Sequence, residues 1–218
     1  MRTGKFSAII AVREGSKRVE NKNIRNFCGS SLLEIKVRQA LGCELLDEVI
    51  VSSDSDDMLE ASRILGASVH KREERYCADD SPMNEVYERL AKLAKNDHIV
   101  YLHVTSPLLS SDSLHNSIET YRNLGPEYDS LATVEKLNKY IWFDGSPINY
   151  DPSNHPRSQD LPRYYALNFA VNIIEKKQMI KRKNIVGNHF YPFFLNDLES
   201  VDIDTQHDFD VATFLYKR

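Results

Sequence analysis

An α/β fold, a mostly parallel sheet with helices on both faces, follows from three features of the sequence. Short apolar runs alternate with segments of helical spacing through the first half of the chain. The runs read as nearly continuous apolar stretches, as expected for strands covered on both faces. Asp, Ser and Gly punctuate the joins, and this order of elements is that of βαβ units. Residues 6–12 (FSAIIAV) give the first strand, followed by a charged stretch at 13–25. Leu32, Leu33, Ile35, Val37, Ala40 and Leu41 predict a helix buried over much of its circumference. Residues 48–52 (EVIVS) are a second strand. Met58, Leu59, Ala61, Ile64 and Leu65 mark a helix that follows an Asp-rich turn and stops at Gly66. Residues 68–70 give a third strand, and Val86, Leu90, Leu93 and Ala94 a helical stripe. Residues 99–104 give a fourth strand ending at Thr105-Ser106-Pro107, with Asp112 as the cap of a helix through Leu114, Ile118 and Tyr121.

Past Lys136 the texture changes. Residues 138–163 hold Trp142, Phe143, Tyr150 and several prolines, which reads as a loop-rich or hairpin insertion. Residues 164–174 look like strand again and 201–204 like a short one. Thr205-Gln206-His207-Asp208 reads as a capping box that opens a last helix through Val211, Phe214 and Leu215. The expected organisation is one domain, 1–218, carrying the insertion at 136–164.

Composition narrows the function classes. The chain has 218 residues, 41% hydrophobic and 28% charged, so a core can form without disulfide or metal staples. Lys plus Arg is 28 and Asp plus Glu 32, a net charge of −4, which argues against a nucleic-acid binder. The apolar run at residues 8–12 is too short for a signal peptide or a membrane span. Cys28, Cys43 and Cys77 are odd in number and widely spaced, fitting neither a zinc site nor a disulfide framework. The expected setting is the cytoplasm.

Ligands of open α/β sheets lie beyond the carboxyl ends of the strands. The loop at 13–25, REGSKRVENKNIR, carries five basic and two acidic residues there. Gly15 and Ser16 permit a tight turn whose N–H groups face an anion, and the cations suit a polyphosphate. The loop is neither a Walker A nor a GxGxxG motif, and its charge is equally compatible with a solvated surface loop. Asp202 and Asp204, two apart in an extended segment, point to one face. Two such carboxylates suit Mg²⁺, which keeps waters and adds phosphate oxygens. The competing role is helix capping, but Thr205 can cap unaided and leave both aspartates free. Asp54, Asp56 and Asp57 read first as capping residues of the second helix, with a role on the nucleotide side as the alternative.

The stretch AIIAVREGSKRVENKNIRNFCGSSLLE resembles the N-terminal signature of the acylneuraminate cytidylyltransferase family, near the 3-deoxy-manno-octulosonate cytidylyltransferases. VIVSSDSDDMLEAS, KREERYCADDS, HVTSPLL and VDIDTQHDFDVA resemble further family segments in the same order. The resemblance implies a three-layer α/β/α, Rossmann-like fold of the nucleotide-diphospho-sugar transferase type. It also implies CTP-dependent transfer to a sialic-acid-like 2-keto-3-deoxy sugar acid: the anomeric hydroxyl attacks the α-phosphate and pyrophosphate leaves. It places Arg13 and Lys22 as catalytic groups on the phosphates, with Ser16, Lys17 and Asn23 beside them. Arg72 would contact the cytosine, with Asp79 following it. Asp202 and Asp204 would hold Mg²⁺, for which Mn²⁺ can substitute. On the sugar side the resemblance points to His103, Thr105, Ser106, Asn168, Arg157 and Gln159. The insertion would build a homodimer and lend residues to the partner's site. No side chain stands out as a dedicated general base.

Three positions depart from the family pattern, all on the sugar side. His103 stands where the family has glutamine, Leu109 where it has arginine, and Phe169 where it has glycine. His103 is expected to charge near the unperturbed value of about 6.5. These departures predict discrimination against N-acetylneuraminic acid in favour of another nonulosonic acid, with pseudaminic and legionaminic types as candidates. They also leave open a nucleotide-binding protein without transferase activity, or the same chemistry on 3-deoxy-manno-octulosonate or another sugar or nucleotide.

Overall fold

The first strand, β1 (Phe6–Ala11), sends its side chains alternately into two cores. Ala8 and Ile10 pack into one cluster and Ile9 into the other, so the strand is covered on both faces. In this computed structural model, residues 2–16, 18–78 and 81–217 are described. After β1 come α1 (Leu32–Leu41), β2 (Glu48–Ser53), α2 (Asp56–Leu65), β3 (Ser68–Lys71), α3 (Met83–Ala91), β4 (His98–Leu102) and α4 (Ser111–Asn123). The second half adds β5 (Ser130–Leu137), β6 (Trp142–Phe143), β7 (Ser146–Pro147), β8 (Tyr164–Glu175), α5 (Lys176–Arg182), β9 (Phe190–Phe194) and α6 (Gln206–Tyr216). The central sheet has seven strands in the order β3-β2-β1-β4-β8-β5-β9. Only β8 runs against its neighbours.

Helices α1, α2, α4 and α6 contribute to the core on one face, around Leu33, Met58, Ile118 and Phe209. Helices α3 and α5 cover the other, around Leu90 and Met179. The expected three-layer, mostly parallel fold is therefore present. Gly66 ends α2 with φ 104, a left-handed conformation open to glycine at no steric cost.

Three expectations are corrected. The cap of α4 is Ser110, whose hydroxyl accepts from Ser113 N, and Asp112 lies in the first turn. The fourth strand ends at Leu102 because the chain turns into the 103–109 loop. Residues 201–204 form no ladder, although Ile203 is buried and its neighbours are not, so the alternation survives without a strand partner. Strands β5 and β9 and helix α5 were not expected. In β5 the polar Thr133 breaks the apolar pattern because its hydroxyl serves the backbone of Val171 across a bulge in β8. In β9 Pro192 argues against a strand, but β9 is an edge strand where a missing N–H is tolerated. The insertion begins only after Leu137, which pairs with Tyr164, and holds the β6–β7 hairpin and two 3₁₀ turns.

The capping box is formed as expected. Asp208 N donates to the Thr205 hydroxyl at 3.2 Å, and Thr205 N donates back to the Asp208 carboxylate at 2.7 Å. Thr205→Ala should lower stability by about 1 kcal/mol, read as a reduced urea midpoint at unchanged slope. An unchanged midpoint would show that α6 is held by packing alone.

Candidate active site at the carboxyl ends of the strands

The loop after β1 and the turn after β4 enclose a cleft of about 440 Å³. Arg13, Ser16, Arg18, Lys22 and Asn23 line it from the loop, His103 and Thr105 from the turn. Among the described residues three cations and no carboxylate line this space, so it suits an anion. Asn23 is buried and donates its amide N–H to Arg13 O at 3.0 Å, while its own carbonyl accepts from Leu33 N. It thus folds the loop back onto β1 and ties it to α1. Arg13 Nη1 donates to Cys77 O at 3.1 Å. Asp54 accepts from Glu14 N at 2.9 Å, so this aspartate braces the loop; the cap of α2 is Ser55.

The segment 201–204 closes the cleft from the far end of the chain. Lys22 Nζ donates to Ile203 O at 2.5 Å, and Ile203 N donates to Thr105 O at 2.9 Å. Ile203 is fully buried, which leaves Asp202 and Asp204 facing a second cleft of about 650 Å³ shared with Asn168, Phe169 and Asp208. Arg18 Nη2 lies 2.9 Å from Asp204 Oδ1. Burial pushes the Asp202 pKa up and the Asp204 charge adds to this, against the Thr105 hydroxyl and Lys22. Burial pushes Lys22 down, opposed by the charges of Asp204 and Asp202.

Two neighbouring carboxylates beside a polyphosphate-sized cationic cleft fit a Mg²⁺ ion that also takes phosphate oxygens. Among the described residues no group of three or more His, Cys, Asp or Glu offers an all-protein cage.

The other expected residues divide. Arg72 is buried, its guanidinium on Ser52 O at 2.7 Å and Ser52 Oγ at 3.3 Å, away from the lining of both clefts. Ser106 is buried, and its carbonyl faces inward to α1. Asn168 lines the second cleft, with Oδ1 accepting from Ala170 N and Nδ2 buried without a partner. Arg157 pairs with Asp160 at 2.7 Å in the insertion, and neither it nor Gln159 lines either cleft. Lys17 and Asp79 lie outside the described residues.

A sequence model of the family described as Cytidylyltransferase matches residues 7–141, more than half of the chain. The chain belongs to the cytidylyltransferase family. Its fold agrees. A solved CMP:2-keto-3-deoxy-manno-octonic acid synthetase complexed with CTP superposes with a TM-score of 0.73 at 14% identity, covering 98% of both chains. The sequence is 28% identical to the pseudaminic acid cytidylyltransferase of Campylobacter jejuni, over 96% of this chain and 95% of that protein. It is 29% identical to the N-acylneuraminate cytidylyltransferase of Oncorhynchus mykiss, over 95% of this chain but only 49% of that longer protein.

Two features of this cytidylyltransferase escape sequence reading. Arg18, read only as part of the basic loop, is the cation that meets Asp204. Lys36, within the apolar stripe of α1, is fully buried, its Nζ donating to Gln39 Oε1 at 2.7 Å and Ser106 O at 3.1 Å. Burial lowers its pKa to about 7. His103 is corrected in the same direction. Burial, with the charges of Lys36 and Lys22, lowers it to about 4, so it is neutral at physiological pH.

Between about pH 7 and 10.5 the unfolded chain holds a proton on Lys36 that the folded chain has released. Stability rises with pH wherever the unfolded state binds more protons. The stability difference between wild type and Lys36→Met should therefore move toward wild type by about 1 kcal/mol per pH unit across that window. Urea titrations at pH 7, 8 and 9 read it. A difference that does not change with pH would mean that charging Lys36 costs nothing in the fold.

Proposed function

We propose that the chain transfers the cytidylyl group of CTP to a nonulosonic sugar acid and releases pyrophosphate. The observation that carries this reading is the meeting of the cationic loop at 13–23 with the Asp202–Asp204 pair, joined by Lys22 on Ile203. It is supported by the family and by the names of the relatives that match nearly the whole chain.

In this mechanism Arg13, Arg18 and Lys22 bind the triphosphate. Lys22 and Arg13 offset the charge that builds on the α-phosphate and on the leaving pyrophosphate. Ser16 and Lys17 complete the phosphate loop, with Asn23 holding the loop's shape. Arg72, bonded to Ser52 of β2, braces the nucleotide side without lining either cleft. Asp202 and Asp204 hold Mg²⁺, which neutralises phosphate charge and acidifies the attacking hydroxyl when bound. Arg18 then exchanges Asp204 for phosphate. The acceptor occupies the second cleft, between Asn168, Phe169 and the two aspartates.

The acceptor side is where this chain departs from its family. Phe169 holds φ 59 on the bulge of β8, half-exposed, with its ring centroid 6.0 Å from that of His103. A bulge beside a site re-aims one side chain, and here it turns an aromatic ring toward space that glycine would leave open. His103 Nε2 is buried without a partner among the described residues, and its neutral ring replaces the two-sided hydrogen bonding of an amide. The cleft therefore favours a differently substituted nonulosonic acid over N-acetylneuraminic acid.

The assembly we infer is a homodimer through the insertion. It is supported by Trp142, Phe143 and Ile148, apolar side chains that are exposed there. The three cysteines are free and no described helix is long and apolar enough to cross a membrane; a cytoplasmic setting is consistent with both.

Pyrophosphate release should require CTP, an acid and Mg²⁺ or Mn²⁺, and chelator should abolish it. Lys22→Ala should lower turnover by roughly 10²–10³, and Asp204→Asn should lose rate together with metal dependence. Release by Lys22→Ala within about threefold of wild type would remove that lysine from the mechanism. Across N-acetylneuraminic, pseudaminic, legionaminic and 3-deoxy-manno-octulosonic acids, N-acetylneuraminic acid should not have the highest kcat/KM, and Phe169→Gly should raise its relative rank. If no acid releases pyrophosphate while CTP still binds, the chain is a nucleotide-binding protein. Light scattering should give twice 25.1 kDa, and Phe143→Asp should shift it to the monomer; a monomeric wild type contradicts the dimer.

A further inference from the structure

Helix α1 buries Leu32, Leu33, Lys36, Val37 and Ala40, so a lysine occupies a position that the helix otherwise gives to apolar residues. No carboxylate among the described residues neutralises it. Burying an unpaired ammonium is costly, so a purely structural role is better filled by leucine or methionine. What Lys36 does instead is hold a turn. Its Nζ donates to Ser106 O and to Gln39 Oε1, and Gln39 Nε2 donates to Leu109 O at 2.6 Å. The two side chains thus grip both ends of the Ser106–Leu109 turn from one turn of helix. The residue before that grip, Thr105, accepts from Ile203 N, the peptide between the two aspartates.

We propose that Lys36 is a positioning residue of the acidic pair: with Gln39 it clamps the 105–109 turn to α1, and through the Thr105–Ile203 bond it sets the place of Asp202 and Asp204. The inference rests on the reading of that pair as the cation site. Ile203 is held from two sides, by Thr105 and by Lys22. Loss of the clamp frees one of them while leaving the phosphate loop untouched. Lys36 therefore acts on the cation without touching it.

The test uses two readouts that do not depend on turnover, on the full chain, for wild type, Lys36→Met and Gln39→Met. Hydrogen exchange of the amides between 105 and 109 and at Ile203 should quicken by about tenfold in Lys36→Met, the scale of one lost hydrogen bond. Amides of β1 and β2 should not change. Mn²⁺ binding in the presence of CTP, followed by electron paramagnetic resonance, should weaken by about tenfold, with CTP binding in chelator unchanged. Gln39→Met, at a half-buried position, should move both readouts the same way and decides the matter if Lys36→Met fails to fold. Exchange unchanged within about twofold, or quickened exchange with wild-type Mn²⁺ affinity, overturns the proposal. A wild type that binds no Mn²⁺ with CTP overturns it together with the cation site. A wild type that binds Mn²⁺ and CTP yet releases no pyrophosphate overturns only the transfer reading, since neither readout uses the reaction.

Discussion

The bond from Lys22 Nζ to Ile203 O, across 181 residues of sequence, ties the two ends of the chain together at the centre of the site. Everything chemical is arranged around it. The loop after β1 supplies cations, the segment before α6 supplies carboxylates, and the turn after β4 holds the latter in place through Thr105. Without substrate the opposite charges meet one another, Arg18 on Asp204 and Lys22 beside both aspartates. The pairs are partly solvated, so each contributes little to stability. On the proposed reading these are the contacts that a triphosphate and a divalent cation would together replace.

The same region concentrates the costs of the fold. Phe169 adopts a left-handed backbone that disfavours a large side chain, and the β8 bulge around it is held by Thr133, Asn168 and Asn172. Asn168 Nδ2, Asn172 Oδ1 and His103 Nε2 are buried without partners. A buried lysine lies against the turn beside them. Strain and unsatisfied polar groups persist where the surrounding structure over-determines them, and they gather at functional sites. The sheet's centre, in contrast, is apolar and fully covered.

The sheet up to β4 was legible because β1, β2 and β4 are buried on both faces and each helix carries an apolar stripe. The cationic loop at 13–25 was legible because charge is concentrated in a chain of otherwise balanced composition. The Asp-x-Asp pair was legible from its spacing, even though no ladder forms, since alternate exposure needs only an extended backbone. The second half of the sheet was harder. Thr133 spends its hydroxyl on a bulge 38 residues away, and Pro192 is tolerated only because β9 lies at the edge. Lys36 and the depressed pKa of His103 depend on packing between α1 and the β4 turn, which residue spacing does not encode. Arg157 and Gln159, which the resemblance assigns to the sugar side, lie in the insertion as the sequence suggested and line neither cleft of their own chain.

The most direct measurement of the central claim is the anomalous diffraction of crystals grown with CTP and Mn²⁺. A single Mn²⁺ peak bridging the carboxylates of Asp202 and Asp204 to the triphosphate, with phosphate oxygens on Arg13 and Lys22, is the result the account predicts. Mn²⁺ bound instead at the Asp54–Asp57 turn, or a triphosphate outside the 13–23 loop, would contradict it.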